Sequence, residues 1–139
     1  MKKIFFTPGP SQLFHTVSDH LKEGIKNDIF SISHRSIEFK KIYESCDYKL
    51  RSFLDIPENY NISFLSSANE IWERIIQNLV INSSSHLVNG AFSKKFYDFA
   101  IINKINAKEY YYDKVEYNIN DIEEDELVAI TLNETSRGI

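Results

Sequence analysis

The sequence predicts an α/β fold in which strands of a mostly parallel sheet alternate with amphipathic helices. Two observations lead to this prediction. Apolar residues recur at helical spacing in four segments, and short apolar runs of strand length lie between or after them. With 139 residues, 42% of them hydrophobic and 26% charged, the chain also has the size and composition of one ordinary globular domain.

The first part of the chain is predicted to form two helices joined by a loop. A helix is expected over residues 11–27, where apolar side chains recur every four residues: Leu13, Val17, Leu21 and Ile25. Residues 28–35 show no helical period and are interpreted as the loop. A second helix is expected over residues 36–54, with one apolar stripe formed by Phe39, Tyr43, Cys46, Leu50 and Phe53. Pro57 then stops it.

Strands and helices alternate in the rest of the chain. Ser67 and Glu70 have the spacing of a capping box, which predicts that a helix begins at this point. An apolar stripe rich in phenylalanine predicts another helix over residues 92–105. Five of the six residues from 121 to 126 are acidic and are interpreted as a solvated helix end. Apolar character predicts strands over residues 60–65, 86–88, 109–112 and 127–132.

Composition argues against several classes of partner. The net charge of −4 gives no basic excess for binding nucleic acid or an anionic membrane, and no apolar stretch approaches the ~20 residues of a membrane span. Cys46 is the single cysteine, so no internal disulfide can form and a cytoplasmic location is expected. No metal site is expected, because three histidines show no metal-ligand spacing with one another or with this cysteine: His15, His20 and His86.

Two segments have the chemistry to bind an anion. The turn at residues 66–69 opens a predicted helix, where unpaired backbone N–H groups and the helix dipole favour a negative ligand. The alternative is an ordinary capped helix. His34 and Arg35 lie in the predicted loop, and a guanidinium forms bidentate hydrogen bonds with carboxylate or phosphate. The alternative here is a solvated pair of side chains, or an ion pair between Arg35 and Glu38.

Four segments together carry a resemblance to a known family. They are Thr-Pro-Gly-Pro at residues 7–10, Ser-His-Arg-Ser at 33–36, Val-Asn-Gly-Ala-Phe-Ser at 88–93 and Asn-Glu-Thr at 133–135. In this order and at these spacings they resemble the N-terminal part of class V, fold-type I aminotransferases, which use pyridoxal phosphate. Phosphoserine aminotransferases are the nearest subgroup. The resemblance implies that residues 1–139 form part of the family's three-layer, mostly parallel large domain, incomplete, with residues 1–15 as an N-terminal arm.

The resemblance also implies roles for individual residues. The ring of Phe92 would stack on the pyridine ring of the cofactor, and the hydroxyl of Thr135 would contact its phenolic oxygen. The alternatives are that Phe92 only begins an apolar stripe and that residue 135 lies in a polar loop or frayed terminus. Three residues would hold the cofactor phosphate: Ser67, Ala68 and Asn69. Two would bind the anionic substrate, since their segment matches the family pattern residue for residue: His34 and Arg35.

The activity that the resemblance implies is amino transfer between phosphoserine and 2-oxoglutarate in serine biosynthesis. A small amino acid and a 2-oxo acid are the implied partners, and a homodimer is the implied assembly. In the family the catalytic lysine comes after the last residue of this sequence, so the chain is expected to be truncated, to hold no catalytic residue and to be inactive alone. The strands that flank residues 60–65 in the family's sheet also come later in sequence. Two alternatives stay open: another class V transaminase of the alanine or serine–glyoxylate type, and a non-catalytic remnant or interaction module.

Overall fold

The structure, a computed structural model, describes residues 4–7, 9–112 and 118–138. These residues fall into two compact units, one within Met1–Ser63 and the other within Phe64–Ile139. They are called the N-terminal unit and the C-terminal unit below. None of the described helices is long and apolar enough to cross a membrane.

The N-terminal unit consists of helices. Helix α1 spans Val17–Lys26, a short 3-10 helix spans Ile29–Ser31, and helix α2 spans Ile37–Leu54. The predicted start of the first helix at residue 11 is wrong, because the chain enters α1 only after Thr16. Leu13 is exposed, so an earlier turn would bury little apolar surface to offset its conformational entropy.

Helix α2 confirms the predicted second helix to within one residue. The hydroxyl of Ser36 accepts a hydrogen bond from the backbone N–H of Phe39 at 3.1 Å and caps the first turn. Asp55 ends the helix in the left-handed conformation, with a φ of 51°. The apolar stripe and Pro57 were therefore sufficient to predict both ends of this helix, and the caps explain why it begins and ends at these residues.

The predicted strand over residues 60–65 does not form. Side chains of α2 bind its backbone carbonyls instead. Arg51 Nη2 donates to the carbonyl of Tyr60 at 2.8 Å, and the hydroxyl of Tyr43 donates to that of Ile62 at 3.0 Å. Among the described strands, none lies beside this segment. An isolated strand would leave its N–H and C=O groups unpaired, so its apolar pattern alone does not make it a strand.

The C-terminal unit is a parallel α/β sheet, which confirms the predicted fold class. Both strand pairings are parallel, and the strand order is β2-β1-β3. The helices needed to cover such a sheet alternate with its strands. The elements in chain order are helix α3 (Ala68–Leu79), strand β1 (Ser83–Val88), helix α4 (Ala91–Ile102), strand β2 (Asn106–Tyr111), a 3-10 helix (Ile119–Asp121) and strand β3 (Leu127–Ala129).

The hydrophobic core of the C-terminal unit joins α3 and α4 to the sheet. Ile76 and Ala100 are completely buried, and burying a side chain of the size of Ile76 contributes ~1.5–3 kcal/mol. The Trp72 ring stacks on the Phe96 ring with 5.6 Å between their centroids. The buried cluster comprises Ile76, Val80, Phe96, Ala100 and Ala129.

Buried polar contacts extend β1 beyond the predicted residues 86–88. The hydroxyls of Ser83 and Ser85 donate to the carboxylate of Asp125 at 2.6 and 2.5 Å. These hydrogen bonds lower the pKa of Asp125. Serines enter the strand because a carboxylate from a distant part of the chain satisfies their hydroxyls.

The interpretation of residues 121–126 as a solvated helix end is wrong. Glu126 accepts hydrogen bonds from the backbone N–H groups of Ile81 and Asn82 at 2.6 and 2.9 Å, and Lys108 pairs with Glu123. These acids connect the chain before β3 to the start of β1 and to β2. A run of charge therefore serves here as a set of hydrogen-bond acceptors.

Candidate cofactor site

The start of α3 and the start of α4 lie at the same edge of the sheet. Near their starts, Trp72 of α3 stacks on Phe96 of α4. Near their ends, the side chain of Gln77 donates to that of Asn103 at 3.4 Å. The two helices therefore run in the same direction. Since α4 begins shortly after β1 ends, both helix starts lie at the carboxyl edge, where ligands of open α/β sheets bind.

Helix α3 begins at Ala68 with Ser67 as its N-cap, which confirms the predicted helix start. The hydroxyl of Ser67 accepts a hydrogen bond from the N–H of Glu70 at 3.3 Å. No described residue accepts a hydrogen bond from the backbone N–H groups of Ser67, Ala68 or Asn69. The first turn thus offers these donors, together with the positive end of the helix dipole, to an anion.

A negative charge stands beside this turn. The carboxylate of Glu70 accepts hydrogen bonds from the N–H of Ser66 at 3.0 Å and from its hydroxyl at 2.6 Å. These bonds lower the pKa of Glu70, so this side chain is ionised at neutral pH. An anion bound at residues 67–69 is repelled by this charge, which reduces its affinity.

Phe92 lies in the first turn of α4 with 43% of its surface exposed. The buried positions of this helix are Ser93, Phe96 and Ala100. Phe92 therefore lies outside the buried face of α4, which begins with the polar residue Ser93 and continues with Phe96 and Ala100. The ring of Phe92 keeps an exposed surface on which a flat ligand can stack.

Glu134 fastens the loop after β3 to the start of α4. Its side chain is fully buried. One carboxylate oxygen accepts hydrogen bonds from the N–H and the hydroxyl of Ser93, both at 2.8 Å. The other accepts from the hydroxyl of Ser136 at 2.6 Å and from the N–H of Phe92 at 3.3 Å. Burial acts to raise the pKa of Glu134, but these hydrogen bonds outweigh it and lower the pKa to about 2.

Thr135 follows Glu134 and is exposed. Its backbone N–H donates to the carbonyl of Asn133 at 3.1 Å. Its hydroxyl has no hydrogen-bond partner in the part of the chain that the structure describes. Glu134 therefore links Phe92 and Thr135: it accepts a hydrogen bond from the N–H of Phe92, and Thr135 follows it directly in the chain.

His34 and Arg35 lie in the N-terminal unit, in the turn before α2, and both are exposed. The N–H of Arg35 donates to the hydroxyl of Ser33 at 3.2 Å. Within the described ranges neither side chain forms an ion pair, so the alternative pairing of Arg35 with Glu38 is not present. Both residues line a surface cavity of about 330 Å³, which Lys40 also lines.

Comparisons with known proteins bear on the family. The phosphoserine aminotransferase of Lactococcus lactis subsp. lactis is 32% identical over 96 residues, which cover 66% of this chain and 26% of that protein. The phosphoserine aminotransferase of Blochmanniella floridana is 30% identical over 160 residues, which cover 100% of this chain and 43% of that protein. A crystal structure of a phosphoserine aminotransferase from Cytophaga hutchinsonii matches with a TM-score of 0.85 and 44% identity, covering 96% of this chain and 38% of that one.

This chain is phosphoserine aminotransferase-like. The predicted family is thereby confirmed. The chain spans 26% to 43% of the length of these relatives. A scan against models of protein families found no match.

Three residues that shape this candidate site were not predicted from the sequence: Gly90, Ser93 and Glu134. Gly90 and Ser93 have the spacing of an N-cap and its third helical residue, so a local signal was present. Glu134 lies in the Asn-Glu-Thr segment, in which the resemblance implies a role only for its neighbour Thr135. Its partner Ser93 lies 41 positions away, and no local pattern reports such a distant contact.

His86 is a further missed residue, buried within β1 with 1% of its surface exposed. Its Nε2 lies 2.9 Å from the hydroxyl of Ser84, and its Nδ1 has no described hydrogen-bond partner. Burial lowers the pKa of His86 to about 4, although the charge of Glu109 acts to raise it. The ring is therefore neutral at pH 7. In the described residues no group of three His, Cys, Asp or Glu side chains could hold a metal ion.

Proposed function

We propose that this chain is part of a phosphoserine aminotransferase of serine biosynthesis and forms part of its pyridoxal phosphate site. Its residues would bind three parts of the cofactor: the phosphate, the pyridine ring and the phenolic oxygen. One observation carries the proposal: the carboxyl edge of the sheet combines unpaired N–H groups at residues 67–69 with the exposed ring of Phe92 and the hydroxyl of Thr135. The family resemblance assigns cofactor roles to the same residues. Cofactor, substrates and activity all belong to the proposal, because the chain spans only part of its relatives' length.

The cofactor phosphate fits the start of α3. A phosphate dianion would accept hydrogen bonds from the N–H groups of Ala68 and Asn69, and the side-chain amide of Asn69 would add a donor. The methyl group of Ala68 leaves room for close approach. Glu70 opposes the phosphate because it is ionised and bound to the same turn. We therefore expect weak binding by these residues alone.

The cofactor ring fits Phe92 and Thr135. Stacking requires only an exposed aromatic face, which Phe92 offers. The hydroxyl of Thr135 has no described partner and would donate a hydrogen bond to the phenolic oxygen of the ring. When bound, the cofactor supplies the electron sink that amino transfer requires. The residues of this chain hold and orient it.

Lys94 is a poor candidate for the lysine that carries the cofactor. Its Nζ lies 2.8 Å from Glu109 Oε2 and 4.1 Å from the centroid of the Tyr97 ring. The hydrogen bond to Glu109 raises the pKa of Lys94, which keeps the amine protonated and therefore not nucleophilic. This agrees with the resemblance, in which the catalytic lysine comes later in the sequence than Lys94.

His34 and Arg35 are proposed to bind the anionic end of the substrate. A phosphate dianion accepts bidentate hydrogen bonds from a guanidinium and a further bond from the imidazole. Lys40 lines the same cavity and adds positive charge. Phosphoserine therefore fits this cavity better than an amino acid with a neutral side chain does. A homodimer and a cytoplasmic location are proposed with this function.

A cofactor titration tests the first part of the proposal. The purified chain is titrated with pyridoxal phosphate while the fluorescence of Trp72, the single tryptophan, is recorded. Phe92→Ala and Thr135→Ala are each expected to weaken binding by roughly tenfold. Phe14→Ala, which removes a ring that is 68% exposed in the N-terminal unit, serves as the control and should change nothing. Absence of saturable binding by the parent chain would reject the proposal in favour of a non-catalytic interaction module.

Borohydride trapping with peptide mapping tests the assignment of the lysine. The 139-residue chain is reduced in the presence of pyridoxal phosphate, beside an assay for amino transfer from phosphoserine. We expect unspecific labelling of surface lysines without turnover. Stoichiometric labelling of Lys94 or Lys95 together with turnover would contradict a lysine outside these residues.

A binding comparison tests the substrate. Phosphoserine, serine and alanine are titrated into the isotope-labelled chain and followed by NMR. Arg35→Ala should weaken phosphoserine binding by roughly tenfold, whereas Lys26→Ala, which removes a cation from the end of α1, should not. Equal affinity for phosphoserine and serine would favour the alanine or serine–glyoxylate type of transaminase instead.

A further inference from the structure

We infer that Glu134 is a positioning residue that holds Phe92 and Thr135 in the geometry in which they meet the cofactor ring. The inference rests on the proposed function, because it concerns how two of the proposed cofactor residues are held. It gives a role to the one buried carboxylate of the candidate site, which the resemblance left without one. Glu134 itself does not touch the cofactor in this account.

The contacts of Glu134 link two segments that are distant in sequence. Its carboxylate accepts hydrogen bonds from the N–H groups of Phe92 and Ser93 at 3.3 and 2.8 Å, the second and third residues of α4. An ordinary cap comes from a residue next to the helix, whereas Glu134 lies 41 positions from Ser93. It therefore fixes the position of the Thr135 backbone relative to the first turn of α4.

A second pair of hydrogen bonds fastens the same two segments. The N–H of Ala91 donates to the hydroxyl of Ser136 at 2.9 Å, and Arg137 Nη1 donates to the carbonyl of Asn89 at 2.9 Å. Ser136 also donates to Glu134 at 2.6 Å. Residues on both sides of Thr135 are thus bound to the turn between β1 and α4.

Gly90 makes room for this carboxylate. A Cβ atom at this position would lie 2.4 Å from Glu134 Cγ and 2.5 Å from its Cδ. With φ at −177°, the backbone of Gly90 is extended and open to any residue, so the absence of a side chain serves space and not conformation. Only a residue without a side chain at position 90 leaves room for the side chain of Glu134, so the two residues fit each other sterically.

The hydrogen bonds of Glu134 also decide which helix start is open to the cofactor phosphate. A carboxylate that accepts two backbone N–H groups already occupies the positive end of α4. A phosphate dianion at the same place would be repelled and would find those donors taken. The start of α3, where the N–H groups of residues 67–69 have no described acceptor, remains the place for it. Glu134 therefore favours binding of the cofactor phosphate at the start of α3 and leaves the start of α4 for the cofactor ring.

The test compares Glu134→Gln with Glu126→Gln in the full chain. Glu126 is the matched control, because it also accepts two backbone N–H groups, but at the start of β1 and away from the carboxyl edge. Each variant is titrated with pyridoxal phosphate, and the circular dichroism of the bound cofactor is recorded in its visible band. This signal reports the asymmetry of the surroundings of the cofactor ring. A variant that had only lost stability would still show the parental signal in its folded fraction.

Glu134→Gln is expected to weaken the affinity for pyridoxal phosphate by roughly tenfold and to abolish the visible dichroism of the remaining complex. Glu126→Gln should bind as the parent does, with the same dichroism. Ser136→Ala is the milder variant in case Glu134→Gln does not fold. It removes one donor to Glu134 and should reduce the dichroism and weaken affinity by a factor of roughly three.

Three outcomes would overturn the inference in distinguishable ways. If the parent chain binds no pyridoxal phosphate, the proposed function fails and the inference fails with it. If the parent binds but Glu134→Gln, or folded Ser136→Ala, keeps parental affinity and dichroism, the inference alone is wrong. If Glu126→Gln loses as much affinity as Glu134→Gln, the effect is general destabilisation and the positioning role is rejected.

Discussion

The N-terminal and C-terminal units share amphipathic helices but differ in burial. In the C-terminal unit Ile76 and Leu87 are 0% and 2% exposed. In the N-terminal unit Gly24 is the only described residue of the buried class, and Phe53, at the end of the predicted stripe of α2, is 83% exposed. An apolar stripe therefore predicts a helix in both units, whereas burial also needs a second surface. Within the described residues, the sheet provides that surface for α3 and α4 only.

The largest expected effect is loss of the core of the C-terminal unit. Ile76→Ala leaves a cavity at a position with no exposed surface and should reduce the free energy of unfolding by ~2–5 kcal/mol. Phe53→Ala in the N-terminal unit should change it by less than ~0.5 kcal/mol, because its ring is already in water. Urea titration gives both values, with Trp72 fluorescence and far-UV dichroism as probes. Similar losses in the two variants would contradict the difference in burial.

The next effect is a pH dependence confined to the C-terminal unit. Burial lowers the pKa of His86 from 6.5 to about 4, so the unfolded chain binds a proton more readily than the folded chain does. The contribution of His86 to stability is complete above pH 6.5 and is lost as the pH falls towards 4. Between pH 7 and 5 the loss should be on the order of 2 kcal/mol.

Two variants check this pH dependence by urea titration at pH 7 and pH 5. His86→Gln should abolish most of the difference between the two pH values, since glutamine does not titrate. His34→Gln, at an exposed position of the N-terminal unit, is the control and should leave the difference intact. A parental stability that is equal at both pH values would show that His86 is not buried as described.

A smaller effect is expected from two glycines. Gly90→Ala places a Cβ within 2.5 Å of the Glu134 side chain, and this overpacking should cost ~1–3 kcal/mol in the C-terminal unit. Gly9→Ala in the N-terminal unit meets no atom within 4 Å and should be close to neutral. The measurement is again the urea midpoint of each variant. A neutral Gly90→Ala would mean that Glu134 does not approach the turn after β1.

The smallest effect should be equal in the two units. Ser36 caps α2 and Ser67 caps α3, each by accepting one N–H from the third helical residue. Since capping is local and independent of a core, Ser36→Ala and Ser67→Ala should each cost ~1 kcal/mol. Amide hydrogen exchange in the first turns of the two helices measures these costs. Clearly unequal costs would mean that the units differ in more than burial.

Features with a local signal were predictable from the sequence. The limits of α2 follow from the apolar stripe and from Pro57, and the start of α3 follows from the spacing of Ser67 and Glu70. The parallel α/β class follows from the alternation of elements, since a parallel sheet requires crossovers. These features depend on neighbours within one or two turns of the chain.

Features that depend on distant partners were not predictable. The apolar pattern of residues 60–65 predicts a strand, and only the resemblance, which puts the flanking strands later in sequence, indicated that its neighbours would be missing. Ser83 and Ser85 of β1 became strand residues because Asp125 accepts hydrogen bonds from their hydroxyls. Glu134 is buried only because α4 offers it donors from 41 positions away. The candidate site was therefore predictable as a set of residue types, whereas the contact that joins Phe92 to the loop of Thr135 required the structure.

The most direct test of the central claim is an NMR titration of the nitrogen-15-labelled chain with pyridoxal phosphate and, separately, with pyridoxal. Pyridoxal phosphate should shift the amide signals of Ser67, Ala68 and Asn69 together with that of Phe92. Pyridoxal, which lacks the phosphate, should shift the signal of Phe92 but not the three at the start of α3. Shifts confined to surface lysines and their neighbours, with residues 67–69 unchanged, would contradict the account.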